Sequence, residues 1–266
     1  MPNMEKTKVA PRRVLPIIYV LDTSGSMTGE RIASVNEAMN ETMEVLKDVS
    51  AKNPDAEIKV GVLKFSSGAE WVTNGLVFMD DFYWNDLKAG GVTDFGSALK
   101  ELNSKLSRSE FLVSDTGFCV PVIMFMSDGQ PTDNYEKALE DINNNNKWFR
   151  YATKIGIAVG DDADRDVLGK IAGNKEAVVG VTDIETLKML IKVASVTASM
   201  INSKSRTTAA GGNAVEIIKQ TEKALDDPEK LDTNFDESDT WDSSSNNDAA
   251  GDDNSSDGWD DDSDWN

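Results

Sequence analysis

Short, wholly apolar runs that alternate with amphipathic helical stripes restrict this chain more than any other feature. Residues 14–21 (VLPIIYVL) are apolar at successive positions, so both faces of the strand they predict must be covered, as in a parallel sheet between helices. Residues 58–65, 120–126 and 153–159 repeat the pattern, and 177–181 do so more weakly. Between these runs, Ile32, Val35, Met39, Met43, Leu46 and Val49 recur every three or four residues. Phe95, Ala98, Leu99, Leu102 and Leu106 form a second stripe, and Leu187, Leu190, Ile191, Ala194 and Met200 a third. Such alternation predicts a Rossmann-like α/β three-layer sandwich, with a mostly parallel central sheet and helices on both faces. Residues 58–72 depart from it. There SerSerGly at 66–68 separates two strand-like pieces, which predicts one antiparallel edge strand.

Charge divides the chain unevenly. The 266 residues carry a net charge of −20, yet residues 226–266 alone hold sixteen Asp and Glu against one Lys. The body is therefore nearly balanced, and it offers no basic patch of the kind a nucleic acid requires. Four regions are expected: an N-terminal extension (1–13), a folded domain (14–201), a linker with a short amphipathic helix (202–225) and an acidic tail (226–266). The tail is too poor in aliphatic residues to form a core and is expected to be disordered. Its Trp241, Trp259 and Trp265 each stand among acids and are candidate anchors for a partner protein.

Residue types missing from the sequence exclude whole classes of chemistry. There is no histidine, which removes Ser-His-Asp and Cys-His catalysis and ordinary zinc sites. Cys119 is the only cysteine and starts an apolar strand, so it reads as a buried small hydrophobe. The first thirteen residues (MPNMEKTKVAPRR) lack the apolar segment of a signal peptide, and no apolar run approaches the length of a membrane span. A cytoplasmic protein without membrane contact is the expectation.

One set of oxygen donors stands out. In α/β sheets, ligands bind beyond the carboxyl ends of the strands. Asp22, Ser24 and Ser26, in DTSGS, leave the first strand there at alternate positions. Asp128, in MSDGQ, leaves the 120–126 strand at the same edge, and Thr93, in GGVTDFG, lies in the loop before the second helical stripe. Two carboxylates and three hydroxyls suit a hard cation such as Mg2+ or Mn2+. Taken alone, Asp22 to Ser26 could equally turn the chain and cap the next helix. Asp94 reads as the cap of the helix beginning at Phe95. Asp161, Asp162, Asp164 and Asp166 lack the glycine of a calcium loop, where Val167 stands instead, and read as acids at a helix N-terminus.

The succession DTSGS, GGVTDFGSAL and MSDGQPTD resembles the von Willebrand factor A (vWA) domain with its metal-ion-dependent adhesion site (MIDAS), over about residues 14–201. The resemblance implies that Ser24, Ser26 and Thr93 bind the metal through hydroxyls, with Asp22 and Asp128 close by and partly acting through waters. It also implies that an Asp or Glu of a partner protein fills the remaining coordination position, and that the protein is not an enzyme. The wording of DTSGSM, GERIASVNEAM and FMSDGQPTD is most similar to bacterial TerY-type proteins of tellurite-resistance and stress systems. That likeness implies a Ser/Thr kinase or a PP2C-type phosphatase as partner. Two other readings stay open: a Mg2+-dependent phosphohydrolase, although Ser24 stands where its general acid is needed, and a scaffold acting through the tail.

Overall fold

Strand β1 (Arg13–Asp22) runs through the middle of the sheet and is buried along nearly its whole length, as its unbroken apolar sequence requires. The computed structural model describes residues 11–204 and 212–226. The first ten residues and the acidic tail, with Trp241, Trp259 and Trp265, lie outside the described residues.

On one side β1 pairs in parallel with β2 (Ala56–Ser66), register Arg13 to Ala56 through Asp22 to Phe65. On the other it pairs in parallel with β5 (Val122–Ser127), ending at Leu21 opposite Met126. Strands β6 (Thr153–Val159) and β7 (Val178–Val181) continue the sheet in parallel beyond β5. The antiparallel edge comprises two short pieces, β3 (Gly68–Trp71) and β4 (Val77–Phe78), both paired to β2. The order is β3-β2-β1-β5-β6-β7, so the chain leaves β1 first toward one edge and later toward the other. A crevice opens at such a reversal, beyond the strand ends between β1 and β5.

Pleating divides the core in two. Leu15, Ile17, Tyr19 and Leu21 face a layer that contains α1 (Glu30–Lys52) and α6 (Ile184–Lys204). Ile18 and Val20 face α2 (Phe95–Lys105), α3 (Tyr135–Asn145), α4 (Lys147–Tyr151) and α5 (Arg165–Ala172). Met39 and Met43 are core residues, and Cys119 is buried.

The C-terminal part of the body extends beyond its expected limit at Ile201. Helix α6 continues to Lys204, with its serines satisfied within the helix. The hydroxyls of Ser195, Ser199 and Ser203 donate to the carbonyls four residues back, at 2.6–2.7 Å. Tyr19 donates to Ser195 at 2.7 Å, and Asn202 ties α6 to Val120 O and Thr153 Oγ1. The amphipathic stretch expected within the linker forms α7 (Gly212–Asp226), which buries Ala214, Ile217, Ile218 and Thr221. Alongside α6, it belongs to the packed body.

Candidate metal centre

Asp22 ends β1 with both carboxylate oxygens engaged. Ser24 N–H donates to Oδ1 at 2.7 Å, and Ser127 Oγ donates to Oδ2 at 2.5 Å. Ser127 in turn accepts from Gly129 N–H at 2.7 Å. The last residue of β5 thus fixes the orientation of the last residue of β1. Burial is the main effect raising the Asp22 carboxyl above the usual range. Hydrogen bonds from Ser127 and Ser24 oppose this, and the nearby charge of Asp128 adds to it.

Capping does not account for the two serines that follow. Residues 25–27 form one 3-10 turn, at whose start the Ser24 side chain makes no capping bond. Helix α1 is preceded by Gly29, at φ +79°, which has no side chain to cap with. The Ser24 and Ser26 hydroxyls lie 3.0 Å from one another, Ser24 buried and Ser26 exposed. By contrast, Asp94 does cap α2, accepting from Ser97 N–H at 2.9 Å. Asp164 caps α5, accepting from the amides of Asp166 and Val167. Those acids have the helix-terminal roles that their positions predict.

Backbone ties draw the Thr93 loop onto the other two. Gly90 N–H donates to Thr23 O at 2.7 Å, and Gly25 N–H to Gly91 O at 2.9 Å. A β-carbon on Gly25 would stand 3.2 Å from that oxygen, so the close approach favours glycine. Thr132 N–H donates to Thr93 O at 2.9 Å, which joins the loop to the segment after β5. Thr93 itself is buried, at 4% exposure.

Asp128 is fully buried, and its Oδ2 accepts no hydrogen bond. Its Oδ1 receives only a long contact from Gln130 N–H, at 3.4 Å. The nearest cation is Arg31, on the first turn of α1, with Nη1 at 3.6 Å from Oδ2. The same guanidinium sits closer to Asp162, at 2.6 Å. A buried carboxylate oxygen without a donor is costly unless a cation completes it. The donors around it are oxygens of Asp, Ser and Thr, so the residues present fit a hard divalent ion. Among the described residues no three His, Cys, Asp or Glu side chains cluster as metal ligands, so such a centre depends on its hydroxyls.

Asp22, at the end of β1, and Ser24, Ser26, Thr93 and Asp128, on three loops tied by these bonds, therefore lie at the carboxyl edge of β1 and β5. Sequence reasoning missed Ser127 and Arg31, and it read Asp162 as a helix N-terminal acid, whereas that side chain pairs with Arg31. The position of Ser127, one residue before Asp128, was visible, but its contact with Asp22 depends on strand register. Arg31 carried a faint signal, being a cation at a helix N-terminus, where the dipole disfavours it.

Comparison with known proteins agrees with this architecture. Residues 17–193 match the family model of the von Willebrand factor type A domain. Over 178 residues, 61% of this chain, the sequence is 27% identical to inter-alpha-trypsin inhibitor heavy chain H6 of Homo sapiens, 13% of which is covered. The chain thus corresponds to a small part of that relative. Among solved structures, it superposes on the pilus adhesin SpaC of Lactobacillus rhamnosus GG with TM-score 0.52 and 12% identity, covering 79% of this chain and 30% of that one. It also superposes on proximal thread matrix protein 1 from the mussel byssus with a zinc-occupied MIDAS motif, with TM-score 0.50 and 19% identity, covering 68% of this chain and 47% of that one. At these identities the superpositions speak for the fold. With the family model spanning the strands and helices that build the crevice, the chain belongs to the von Willebrand factor type A domain family.

Proposed function

We propose that this protein is a metal-dependent protein-interaction module. Asp22, Ser24, Ser26, Thr93 and Asp128 would hold one divalent cation, and an Asp or Glu side chain of a partner protein would complete its coordination. The observation that carries this reading is the fully buried Asp128 carboxylate, whose Oδ2 has no hydrogen-bond donor. When bound, the cation supplies a positive centre that attracts an incoming carboxylate. The chain's own contribution is orientation: Ser127 and the Ser24 amide fix Asp22, and the Gly90, Gly25 and Thr132 amides hold the loops together. An all-oxygen donor set favours Mg2+ or Mn2+. The zinc-occupied motif of the mussel byssus protein supports divalent occupancy of this fold and leaves the ion here open to measurement.

The partner belongs to the same proposal. The motif wording resembles that of TerY-type proteins, which favours a cytoplasmic stress-response or tellurite-resistance setting with a Ser/Thr kinase or a PP2C-type phosphatase as the carboxylate donor. Among the described residues no helix is long and apolar enough to cross a membrane. Trp241, Trp259 and Trp265 would add contacts from the tail. An enzymatic role is disfavoured because Ser24 stands where a phosphohydrolase would need a second carboxylate as general acid.

Affinity capture from native lysate tests the reading, with wild type against Asp22→Ala and with Mg2+ against EDTA. The expected result is a partner held only by wild type in Mg2+. Identical captured proteins under all four conditions would refute it.

A further inference from the structure

Arg31 is built into the mouth of the site. Nη2 lies 2.6 Å from Asp162 Oδ1, Nη1 donates to Ser26 O at 3.3 Å, and Nη1 stands 3.6 Å from Asp128 Oδ2. One guanidinium thus bridges the loop after β1, the loop after β5 and the loop after β6. Its place is reserved by Gly160, at φ +100°, where a β-carbon would stand 2.5 Å from Nη2. The residue sits in the first turn of α1, the end of a helix that repels cations. Its two acceptors, Asp162 Oδ1 and Ser26 O, and the charge of Asp128, not the helix, hold it there.

The distances are graded in an informative way. At 2.6 Å the contact with Asp162 is a charge-assisted hydrogen bond, whereas 3.6 Å to Asp128 is too long for one. Arg31 therefore offsets the buried Asp128 charge through space while leaving the lone pairs of Oδ2 uncommitted. Asp162 is exposed and draws the guanidinium outward. A divalent ion bound by Asp128 would meet this positive charge a few ångströms away, partly screened because the Arg31 side chain is 29% exposed.

We propose that Arg31 is a tethered counter-ion of Asp128 that opposes divalent-cation binding, and that Asp162 restrains it, so that this pair sets the metal affinity of the site. The inference rests on the metal-binding reading above and adds residues to which that reading gives no role. In this arrangement the buried Asp128 charge is partly offset without metal, while Oδ2 still lacks a hydrogen-bond donor. A bound cation would repel the Arg31 head from Asp128, while the contact with Asp162 keeps the guanidinium at the rim of the site.

Calorimetric titration of the full-length protein with Mn2+ alone, and then with Mg2+, tests this. Arg31→Gln is expected to bind metal about tenfold more tightly than wild type, roughly 1.4 kcal/mol. Asp162→Asn is expected to bind several-fold more weakly. That loss should shrink by half or more in the Arg31→Gln background, because Asp162 acts mainly through Arg31. Arg31→Lys, which keeps the charge without the fork, should stay within a few-fold of wild type. Arg31→Gln affinity equal to or weaker than wild type overturns the proposal, whatever its effect on the melting temperature. An Asp162→Asn loss that is the same in both backgrounds overturns the role of Asp162. Asp128→Asn separates loss of the counter-ion role from loss of the metal site. If neither wild type nor Arg31→Gln binds metal, or if Asp128→Asn binds as wild type does, the metal-site reading itself fails. If wild type binds, Asp128→Asn does not, and Arg31→Gln is unchanged, only the counter-ion role fails.

Discussion

Ser127 donates its hydroxyl proton to Asp22 Oδ2 at 2.5 Å, joining the last residues of two neighbouring parallel strands. Because Ser127 Oγ also accepts from Gly129 N–H, one hydroxyl serves a carboxylate and the turn that carries Asp128. Ser127→Ala removes both bonds within a fully buried environment. Equilibrium urea unfolding should show a loss of about 1–3 kcal/mol, the range for leaving buried polar groups unpaired. The same variant should bind Mn2+ more weakly, since Asp22 loses a fixed orientation.

Asp128→Asn removes a buried charge and keeps the shape. In EDTA its melting temperature should stay close to that of wild type, because the buried charge is lost together with its attraction to Arg31. With Mn2+ in excess, wild type should gain stability as RT ln(1 + [L]/Kd), and the variant should gain nothing. Differential scanning fluorimetry with and without Mn2+ distinguishes the two. A melting temperature for Asp128→Asn that rises with Mn2+ as much as that of wild type would contradict the assignment.

Gly129 turns the chain immediately after Asp128 at φ +70°, and a β-carbon there would stand 2.5 Å from Asp164 O. Gly129→Ala therefore meets both backbone strain and a clash with main chain that cannot rotate away. A destabilisation of about 2–4 kcal/mol is expected from chemical denaturation, with Gly173→Ala as a control. Gly173 also has positive φ but no atom within reach of an added β-carbon, so its variant should lose less.

Lys154 gives a pH signature unrelated to the metal. Its ammonium is buried in β6, donating to Phe149 O at 2.9 Å and Arg150 O at 3.3 Å, and burial pushes its pKa down to about 8. In the unfolded chain the group titrates at the ordinary value of 10.5. Between these two values the unfolded state binds more protons than the folded state, so stability rises with pH across that window. Relative to Lys154→Met, wild type should gain on the order of 3 kcal/mol from below pH 8 to above pH 10.5. Parallel unfolding curves at the two ends of the range measure this difference.

Much of the fold was legible because parallel strands buried on both faces leave unbroken apolar runs. β1, β2, β5 and β6 lie where those runs predict them, and α1, α2 and α6 carry the three apolar stripes. Helices α3 and α5 left weaker traces. α3 buries only Tyr135, Ala138 and Ile142 before an asparagine run, and α5 has just eight residues. Beyond Ile201, serine and asparagine suggest a linker unless their hydroxyls and amides find partners inside the fold, as Ser199, Ser203 and Asn202 do. Convergence of Asp22, Thr93 and Asp128 on one edge followed from chain order and strand polarity. What Ser127 and Arg31 do there could not be read in advance, because it depends on register and on the reach of one long side chain across three loops.

The reversal of strand order between β1 and β5 has a further consequence for how the site comes into being. Its donors come from an early, a middle and a later part of the chain, united by the pairing of β1 with β5 and by the backbone ties of the Thr93 loop. Local contacts can order Asp22, Ser24 and Ser26, but Asp128 joins them only when β5 pairs with β1. A partner that engages this crevice would therefore distinguish finished molecules from incomplete ones.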